Sequence, residues 1–394
     1  MKRYLSRSLL IIVSVVYILI IADVVVNYLK HPFYLYQTDL VNFLTGAKII
    51  AKGMPVDLYN NETQLIYQNI ITDPNIRNIP LPFRNIPLMG LVYVPFTYVS
   101  LKTATMCIFA INIGMFIALN KIFENKVWKK SMNWEFWVVV LLFWPFIATL
   151  LAGQYMGLML IIITAIYFSL KGNRHFLTGV LTSLLWMRPQ LILMLPFLFT
   201  YVRNKKTFSS GFFVSTLFIF LVNVFISDIS TLAKYPKFVM SVENTFFEER
   251  ISRITSVYFL FKDMFPSLAG INLMIINMVL YLFLFAIFHK RTKHLSLEIN
   301  FIVIILTTVL FSIHVLSHDQ LLLLIPIYLI IPFGKTTFSN YFKNKPLCLL
   351  YFAPFINLLG VPIVATLMLI VALFCFLFPE NNQALNINSN RHFH

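Results

Sequence analysis

Charged residues are scarce in this chain of 394 residues: they make up 12% of it, whereas hydrophobic residues make up 59%. A typical soluble domain carries about 25% charged residues. The mean hydropathy is +0.80, and a chain of this composition cannot cover its apolar surface with polar groups. We therefore expect lipid to be the solvent for most of it. Soluble enzymes, disordered chains and collagen-like chains are excluded, and the long unbroken apolar runs argue against a β-barrel.

Cysteine and acidic residues are also few. The three cysteines, Cys107, Cys348 and Cys375, lie in apolar stretches at unrelated spacings, which predicts buried thiols and neither a zinc site nor a disulfide framework. The 15 acidic residues are outnumbered by 31 Lys and Arg, so the net charge is +16. These cations form short clusters between apolar runs, as in the cytoplasmic loops of membrane proteins. Because they form no basic face with interleaved aromatics, nucleic acid is not an expected partner.

The apolar runs predict an all-α polytopic membrane protein with about twelve transmembrane segments. Ten of the runs lie at 9–27, 103–120, 133–151, 155–170, 208–226, 268–288, 298–313, 320–333, 346–360 and 361–378. Another run, 176–202, contains Arg188-Pro189-Gln190 and predicts two half-length helices that meet at a break. The first run follows a basic segment like that of a signal peptide, but no small-residue cleavage site follows it, so we interpret it as an uncleaved helix. Residues 1–378 are thus predicted to form one membrane domain, and 379–394 a disordered cytoplasmic tail.

The positions of the basic clusters predict the orientation in the cell inner (plasma) membrane. Both termini are placed in the cytoplasm, together with the clusters at 121–130, 171–175, 203–206, 289–294 and 335–345. Two large segments, 28–102 and 227–267, then lie on the extracytoplasmic side. Because short connections would suffice to join the spans, these two segments and the outer turns at 152–156, 188–190 and 314–319 are where chemistry is expected.

The first outer segment contains a predicted amphipathic helix on the membrane surface. Apolar residues recur at helical spacing between 40 and 50, Thr38 or Asp39 fits the N-terminus, and Gly53 fits the C-terminus. Asp39 could be a helix cap, or a general base that accepts a proton from a hydroxyl nucleophile. Further on, prolines at 80–87 predict a rigid approach to the membrane. There Arg84 could either pair with a carboxylate or bind an anion.

Three outer turns carry polar residues between apolar runs. The first holds Gln154, the second Arg188 and Gln190, and the third His314, His318 and Asp319. Such groups near membrane depth usually face a cavity, a partner or a substrate. The guanidinium of the second turn suits a phosphate, or alternatively an ion pair with an aspartate. The two histidines would share a face and could bind a metal if helical, but binding an anion or orienting a base is favoured, and no metal or soluble cofactor is expected.

The spacing Asp39-x3-Phe43-x3-Ala47-x5-Gly53-x5-Tyr59 resembles the first-loop signature of glycosyltransferase family 87. Three later stretches follow in that family's order: Gly153-Gln154, Thr178-Gly179 through Arg188-Pro189, and Ser312-x-His314-x3-His318-Asp319 with Leu321–Leu324. The chain departs from the family pattern at Met156, Arg188 and Ile313, where Asn, Lys and Pro are usual.

This resemblance implies a GT-C-like bundle with short interfacial helices and an inverting enzyme that moves a sugar from a polyprenyl-phosphate donor to a hydroxyl of a lipid or glycan acceptor. Phosphatidylinositol-mannoside mannosyltransferases are members of this kind. The implied base is Asp39. The implied donor-phosphate ligands are Arg188, Arg84, His318 and His314, and the implied substrate contacts are Tyr59, Gln154, Gln190 and Asp319.

Two other functions stay open at this point. A transporter or flippase of a lipid-linked or anionic substrate would place polar residues near the midplane and usually show repeated halves. A non-catalytic cell-envelope assembly protein would tolerate substitution of the outer polar residues.

Overall fold

The computed structural model describes residues 15–24, 26–27, 30, 35–129, 131, 134–246, 254–268, 270–291, 295–331 and 344–378, all of whose regular elements are helical. The α-helices are α1 (Val15–Val24), α2 (Asp39–Ala51), α3 (Asn61–Thr72), α4 (Pro87–Tyr93), α5 (Leu101–Phe123), α6 (Trp134–Leu141), α7 (Trp144–Ala152), α8 (Met156–Lys171), α9 (His175–Ser183), α10 (Met194–Tyr201), α11 (Lys205–Ser227), α12 (Ile229–Phe246), α13 (Val257–Met264), α14 (Gly270–Arg291), α15 (Leu297–Phe311), α16 (Leu324–Ile330), α17 (Lys345–Leu358) and α18 (Pro362–Leu377). Short 3₁₀ turns lie at Pro55–Asp57, Val94–Tyr98, Leu184–Met187, Pro189–Leu193 and Asp319–Leu323.

Three of the described helices are long and apolar enough to cross a membrane: Leu101–Trp128, Lys205–Ser227 and Gly270–Arg291. Their side chains include large exposed apolar groups such as Phe225, which is 93% exposed. Surface of this kind is stable only in contact with lipid or a partner. Since all the regular elements of the described residues are helices, the all-helical class is confirmed. The count of about twelve spans stays a prediction, because most of the other apolar helices have 10–17 residues.

Helix α15 forms the centre of the molecule. Every residue from Ile299 to Phe311 is buried, as expected of a helix that is apolar on all sides. It packs against α10, α16 and α18, while α7 and α8 contact the Asp319–Leu323 turn that follows it. The loop between α15 and this turn is therefore held inside the protein, at one end of the bundle.

The helices α9 and α11 cross with their backbones in contact. A methyl group added at Gly179 would lie 2.1 Å from the carbonyl oxygen of Phe208, and one added at Gly211 would lie 2.2 Å from that of Phe176. Small residues at reciprocal positions allow this close approach. The contact fixes α9, and with it the chain break that follows.

Several expectations for individual segments are corrected. The run 133–151 is two helices, because the chain turns before Pro145. Within the segment 227–267, whose location outside the membrane stays a prediction, the structure describes the helices α12 and α13. The helix α2 does not lie on a surface: nine of its 13 residues are buried, because α3, α4 and the Val94–Tyr98 turn pack around it. Cys107 is exposed on the apolar helix α5 rather than buried. The predicted tail 379–394 lies outside the described residues.

The predicted break in 176–202 is confirmed. Two 3₁₀ turns separate α9 from α10, and Arg188 stands between them in an extended conformation, with φ −140° and ψ 84°. Since proline follows, the residue before it is kept out of the helical region. The side chain of Arg188 can therefore point away from the helix axis.

Candidate functional site

Asp39 is the first residue of α2, and its carboxylate faces a glutamine from another part of the chain. The Nε2 atom of Gln154 donates to Asp39 Oδ2 over 2.7 Å. The helix-cap alternative is not observed, since Thr38 occupies the N-cap position and makes no capping hydrogen bond with its side chain. The side chain of Asp39 is 13% exposed, so the carboxylate is held in place and still accessible.

The turn between α7 and α8 positions Gln154. Gly153 adopts φ +64°, a conformation that glycine reaches without strain. A methyl group there would also lie 2.7 Å from the Cβ of Leu40, the residue after Asp39. From the other side, Asn112 donates to the backbone carbonyl of Gln154 over 2.9 Å. The distance between amide and carboxylate is therefore set by backbone packing.

Arg188 links this pair to the third outer turn. Its guanidinium forms a buried ion pair with Asp319 and donates to Gln154 Oε1 over 3.3 Å. It also lies over the ring of Tyr155, 5.4 Å from the ring centre. The ion-pair alternative with Asp319 is thus what the structure shows. Arg188 Nε is buried and has no hydrogen-bond partner among the described residues.

His318 completes the cluster. Its Nε2 atom lies 3.1 Å from Arg188 Nη2. Because a guanidinium can only donate, a hydrogen bond between these two atoms requires Nε2 to accept. Nε2 also lies 3.6 Å from Asp319 Oδ2, and the other ring nitrogen, Nδ1, lies 4.0 Å from Asp39 Oδ2. The imidazole of His318 thus stands between the carboxylates of Asp39 and Asp319 and beside the guanidinium of Arg188.

Asp319 lies behind the cluster. Its Oδ2 atom accepts from the backbone N–H of Leu316 over 2.9 Å, which closes the turn.

The segment from Ser312 to His318 is not helical, so the helical spacing that would let His314 and His318 share a metal does not apply. In the described parts of the chain, no group of three or more His, Cys, Asp or Glu side chains is placed to hold a metal ion.

A cavity of about 670 Å³ opens in front of these side chains. Seven of the nine residues predicted for the site line it: Asp39, Arg84, Gln154, Arg188, Gln190, His314 and His318. Its remaining wall is largely apolar and includes Met240 of α12 and Leu273, Met274 and Met278 of α14. One cavity thus joins a polar cluster to an apolar surface on a helix long enough to cross the membrane.

The other two predicted residues do not line the cavity. Asp319 holds Arg188 from behind, as described above. The hydroxyl of Tyr59 donates to the backbone carbonyl of Asn85 over 2.9 Å, and its ring packs 5.3 Å from that of Tyr235. Since Asn85 and Tyr235 line the cavity, Tyr59 supports its wall rather than facing its interior.

Nine polar residues that line the cavity were not among the predicted site residues. They are Asn42, Asn85, Tyr155, Tyr235, Tyr258, Lys262, Asn277, Tyr281 and Ser312. A signal existed for three of them: Asn42 follows Asp39 by three residues and so shares its helix face, Asn277 interrupts the apolar run 268–288, and Ser312 begins the last of the stretches that resemble the family pattern. No local pattern marks Tyr155, whose hydroxyl lies 3.0 Å from Asn85 Oδ1 and 3.0 Å from the carbonyl oxygen of Met187.

Comparison with known proteins gives one match. A family model described as glycosyltransferase family 87 matches residues 83–312, more than half of the chain. No curated protein and no solved structure matches.

Proposed function

This chain belongs to glycosyltransferase family 87, and from that premise we propose that it moves a sugar from a polyprenyl-phosphate donor to a hydroxyl of a lipid or glycan acceptor, with inversion, at the extracytoplasmic face of the inner (plasma) membrane. The observation that carries the proposal is the cluster of Asp39, Gln154, Arg188 and His318 on one wall of a cavity whose other wall is apolar. Family membership favours a transferase over a transporter or an assembly protein.

The proposed donor fits the two kinds of wall. An isoprenoid chain needs apolar surface, which the methionine and leucine side chains of α12 and α14 supply. A phosphate needs hydrogen-bond donors, and Arg188 lines the cavity with a guanidinium that Asp319 and Gln154 already orient. Arg84 and Lys262 line the same cavity and add positive charge. Because Asp319 balances the charge of Arg188, these two further cations favour an anionic ligand in the cavity.

The proposed reaction is a single displacement. Asp39 accepts the proton of the acceptor hydroxyl, whose oxygen forms a bond to the anomeric carbon. The bond from that carbon to the phosphate oxygen breaks, and its electron pair stays on the leaving polyprenyl phosphate. Arg188 stabilises the charge that develops there. One carboxylate suffices, because a phosphate leaves without a strong acid, and attack from the opposite face inverts the configuration.

Neighbouring groups orient the base. Gln154 holds one carboxylate oxygen, and the Nδ1 of His318 faces the same oxygen at 4.0 Å. Both partners keep Asp39 in one rotamer before the acceptor arrives, so its reorganisation during proton transfer is small.

The first test combines donor identification with removal of the base. Purified protein in lipid nanodiscs is incubated with a panel of radiolabelled polyprenyl-phosphate sugars and a membrane lipid extract, and the glycosylated product is identified. We expect Asp39→Asn to lower the transfer rate by about 100-fold or more, since general-base catalysis contributes on that order, while donor binding is retained.

Asp57→Asn is the matched control. It lies in the same outer segment, does not line the cavity, and should transfer sugar at the wild-type rate. Transfer by Asp39→Asn at the control rate would remove Asp39 from the base role. Absence of transfer by the wild type with every sugar in the panel would count against the polyprenyl-phosphate donor.

A further inference from the structure

Two buried polar side chains in the cavity lack a partner for their oxygen atoms. Asn277 of α14 is 6% exposed and Ser312, which follows α15, is 2% exposed. Neither Asn277 Oδ1 nor Ser312 Oγ has a hydrogen-bond partner in the described structure. Buried polar groups are normally satisfied, so an exception in a cavity wall points to a ligand.

The two oxygens belong to one place in the fold. Asn277 Nδ2 donates to the backbone carbonyl of Phe311 over 2.9 Å, and Ser312 is the next residue. This hydrogen bond joins α14 to the end of α15 and fixes the carboxamide plane. Because the oxygen and the nitrogen of a carboxamide diverge from the shared carbon, Oδ1 is directed to a different side from the carbonyl of Phe311. Asn277 and Ser312 both line the cavity, and so do their neighbours Met274 and Met278.

The chemistry of these atoms identifies the class of ligand. The carbonyl oxygen of an asparagine only accepts hydrogen bonds, so it repels a phosphate oxygen. An isoprenoid chain has no donor to offer it. A hydroxyl group satisfies the carbonyl by donating, and it can also exchange a hydrogen bond with the serine hydroxyl, which both donates and accepts. The pair therefore fits a ligand that carries hydroxyl groups.

The connectivity favours the sugar of the donor over the acceptor. Ser312 begins the segment that carries His314 and His318, and His318 contacts Arg188, the proposed phosphate ligand. The hydroxyls nearest to a bound phosphate are those of the sugar that it carries. We propose that Asn277 and Ser312 form a binding site for hydroxyl groups of the transferred sugar, an inference that rests on the proposed donor.

The test compares two probes that differ only in the sugar. One is citronellyl phosphate, and the other is citronellyl phosphate esterified with D-glucose, D-galactose or D-mannose, whichever the wild type binds most tightly. Binding is measured by calorimetry with the full-length protein in nanodiscs, for wild type, Asn277→Leu and Ser312→Ala. We expect each variant to bind the sugar-bearing probe about 3- to 10-fold more weakly, the loss of one neutral hydrogen bond, and citronellyl phosphate as the wild type does.

Ser312→Ala and one further variant, Thr164→Val, serve as controls. Ser312→Ala removes no hydrogen bond of the described structure, so it tests the site even if loss of the Asn277–Phe311 bond impairs folding of Asn277→Leu. Thr164→Val removes another buried hydroxyl without a partner, on α8 and outside the cavity, and should leave both affinities unchanged.

Each other outcome contradicts the inference. Equal loss for both probes would place the pair against the phosphate or the isoprenoid. No loss for the sugar-bearing probe in Ser312→Ala and in a folded Asn277→Leu would show that the pair does not contact the sugar, while the donor assignment stands. Failure of the wild type to bind either probe would overturn the donor assignment itself, and this inference with it.

Discussion

At the scale of single residues, the site is organised by charge balance. Arg188 is buried, and Asp319 pairs with it. Bringing an ion out of water is unfavourable unless a counter-ion and hydrogen bonds replace the water. The aspartate thus makes a buried guanidinium possible, while the cavity side of the guanidinium still faces Gln154 and His318.

Removing only the counter-ion should therefore destabilise the protein. We expect Asp319→Asn to lower the free energy of unfolding by about 3–5 kcal/mol, because it leaves the charge of Arg188 without a partner. Replacing both residues, as Arg188→Met with Asp319→Asn, should recover most of this stability but not sugar transfer. Thermal unfolding in nanodiscs measures the first effect, and product formation the second. If Asp319→Asn is at least as stable as the double variant, the ion pair does not stabilise the buried charge of Arg188.

Seven of the nine residues predicted for the site line one cavity, but their arrangement was not predicted. A polar residue between apolar runs is visible in the sequence, which is why Arg188, Gln154 and His318 could be selected. Which of them pair could not be read from spacing, because Asp39 and Gln154 are 115 positions apart and meet only through helix packing. The position of His318 between Asp39, Asp319 and Arg188 likewise results from helix packing, which no local pattern contains.

At the scale of helices, prolines and glycines decide where the chain turns. The break at Arg188-Pro189 was predicted and is confirmed, and the same rule applied to Pro145 would have divided the run 133–151 as the structure does. The helix α2 was predicted with the correct start and end. Its burial was not, because contacts with α3 and α4 depend on the path of the chain rather than on the apolar spacing within one helix.

The close contact between α9 and α11 can be tested by substituting its glycines. Gly179→Ala should lower the thermal unfolding temperature and weaken donor binding, because the added methyl group separates the helices and shifts the break that carries Arg188. Gly114→Ala is the matched control: this glycine also lies within a helix, and a methyl group there meets nothing within 4 Å. Since alanine favours the helix over glycine, the control should be as stable as the wild type or more so. Equal unfolding temperatures for the two variants would contradict the close crossing.

At the scale of the whole molecule, the orientation of the chain in the membrane decides on which side the cavity opens. The basic clusters predict that the cavity opens on the extracytoplasmic side. In the structure, residues of the first outer segment and of all three outer turns line this one cavity. The side of the membrane on which one of these segments lies is therefore the side on which all of them lie.

Labelling of single cysteines tests this orientation. In a background with Cys107, Cys348 and Cys375 replaced by alanine, we expect Ile76→Cys to react with a membrane-impermeant maleimide in intact cells. Ile76 is 73% exposed in the first outer segment. Lys206→Cys, at the exposed start of α11, should react only after permeabilisation. The reverse pattern would put the cavity on the cytoplasmic side.

The close approach of Gly153 to Leu40 has a consequence for how the protein matures. The position of the Asp39 carboxylate on α2 depends on a turn more than a hundred residues later in the chain. This turn is synthesised and inserted into the membrane after α2. In a nascent chain that lacks this turn, the hydrogen bond from Gln154 that orients the carboxylate of Asp39 is absent. The orientation of this carboxylate and the docking of the turn against α2 therefore arise in the same step of biogenesis.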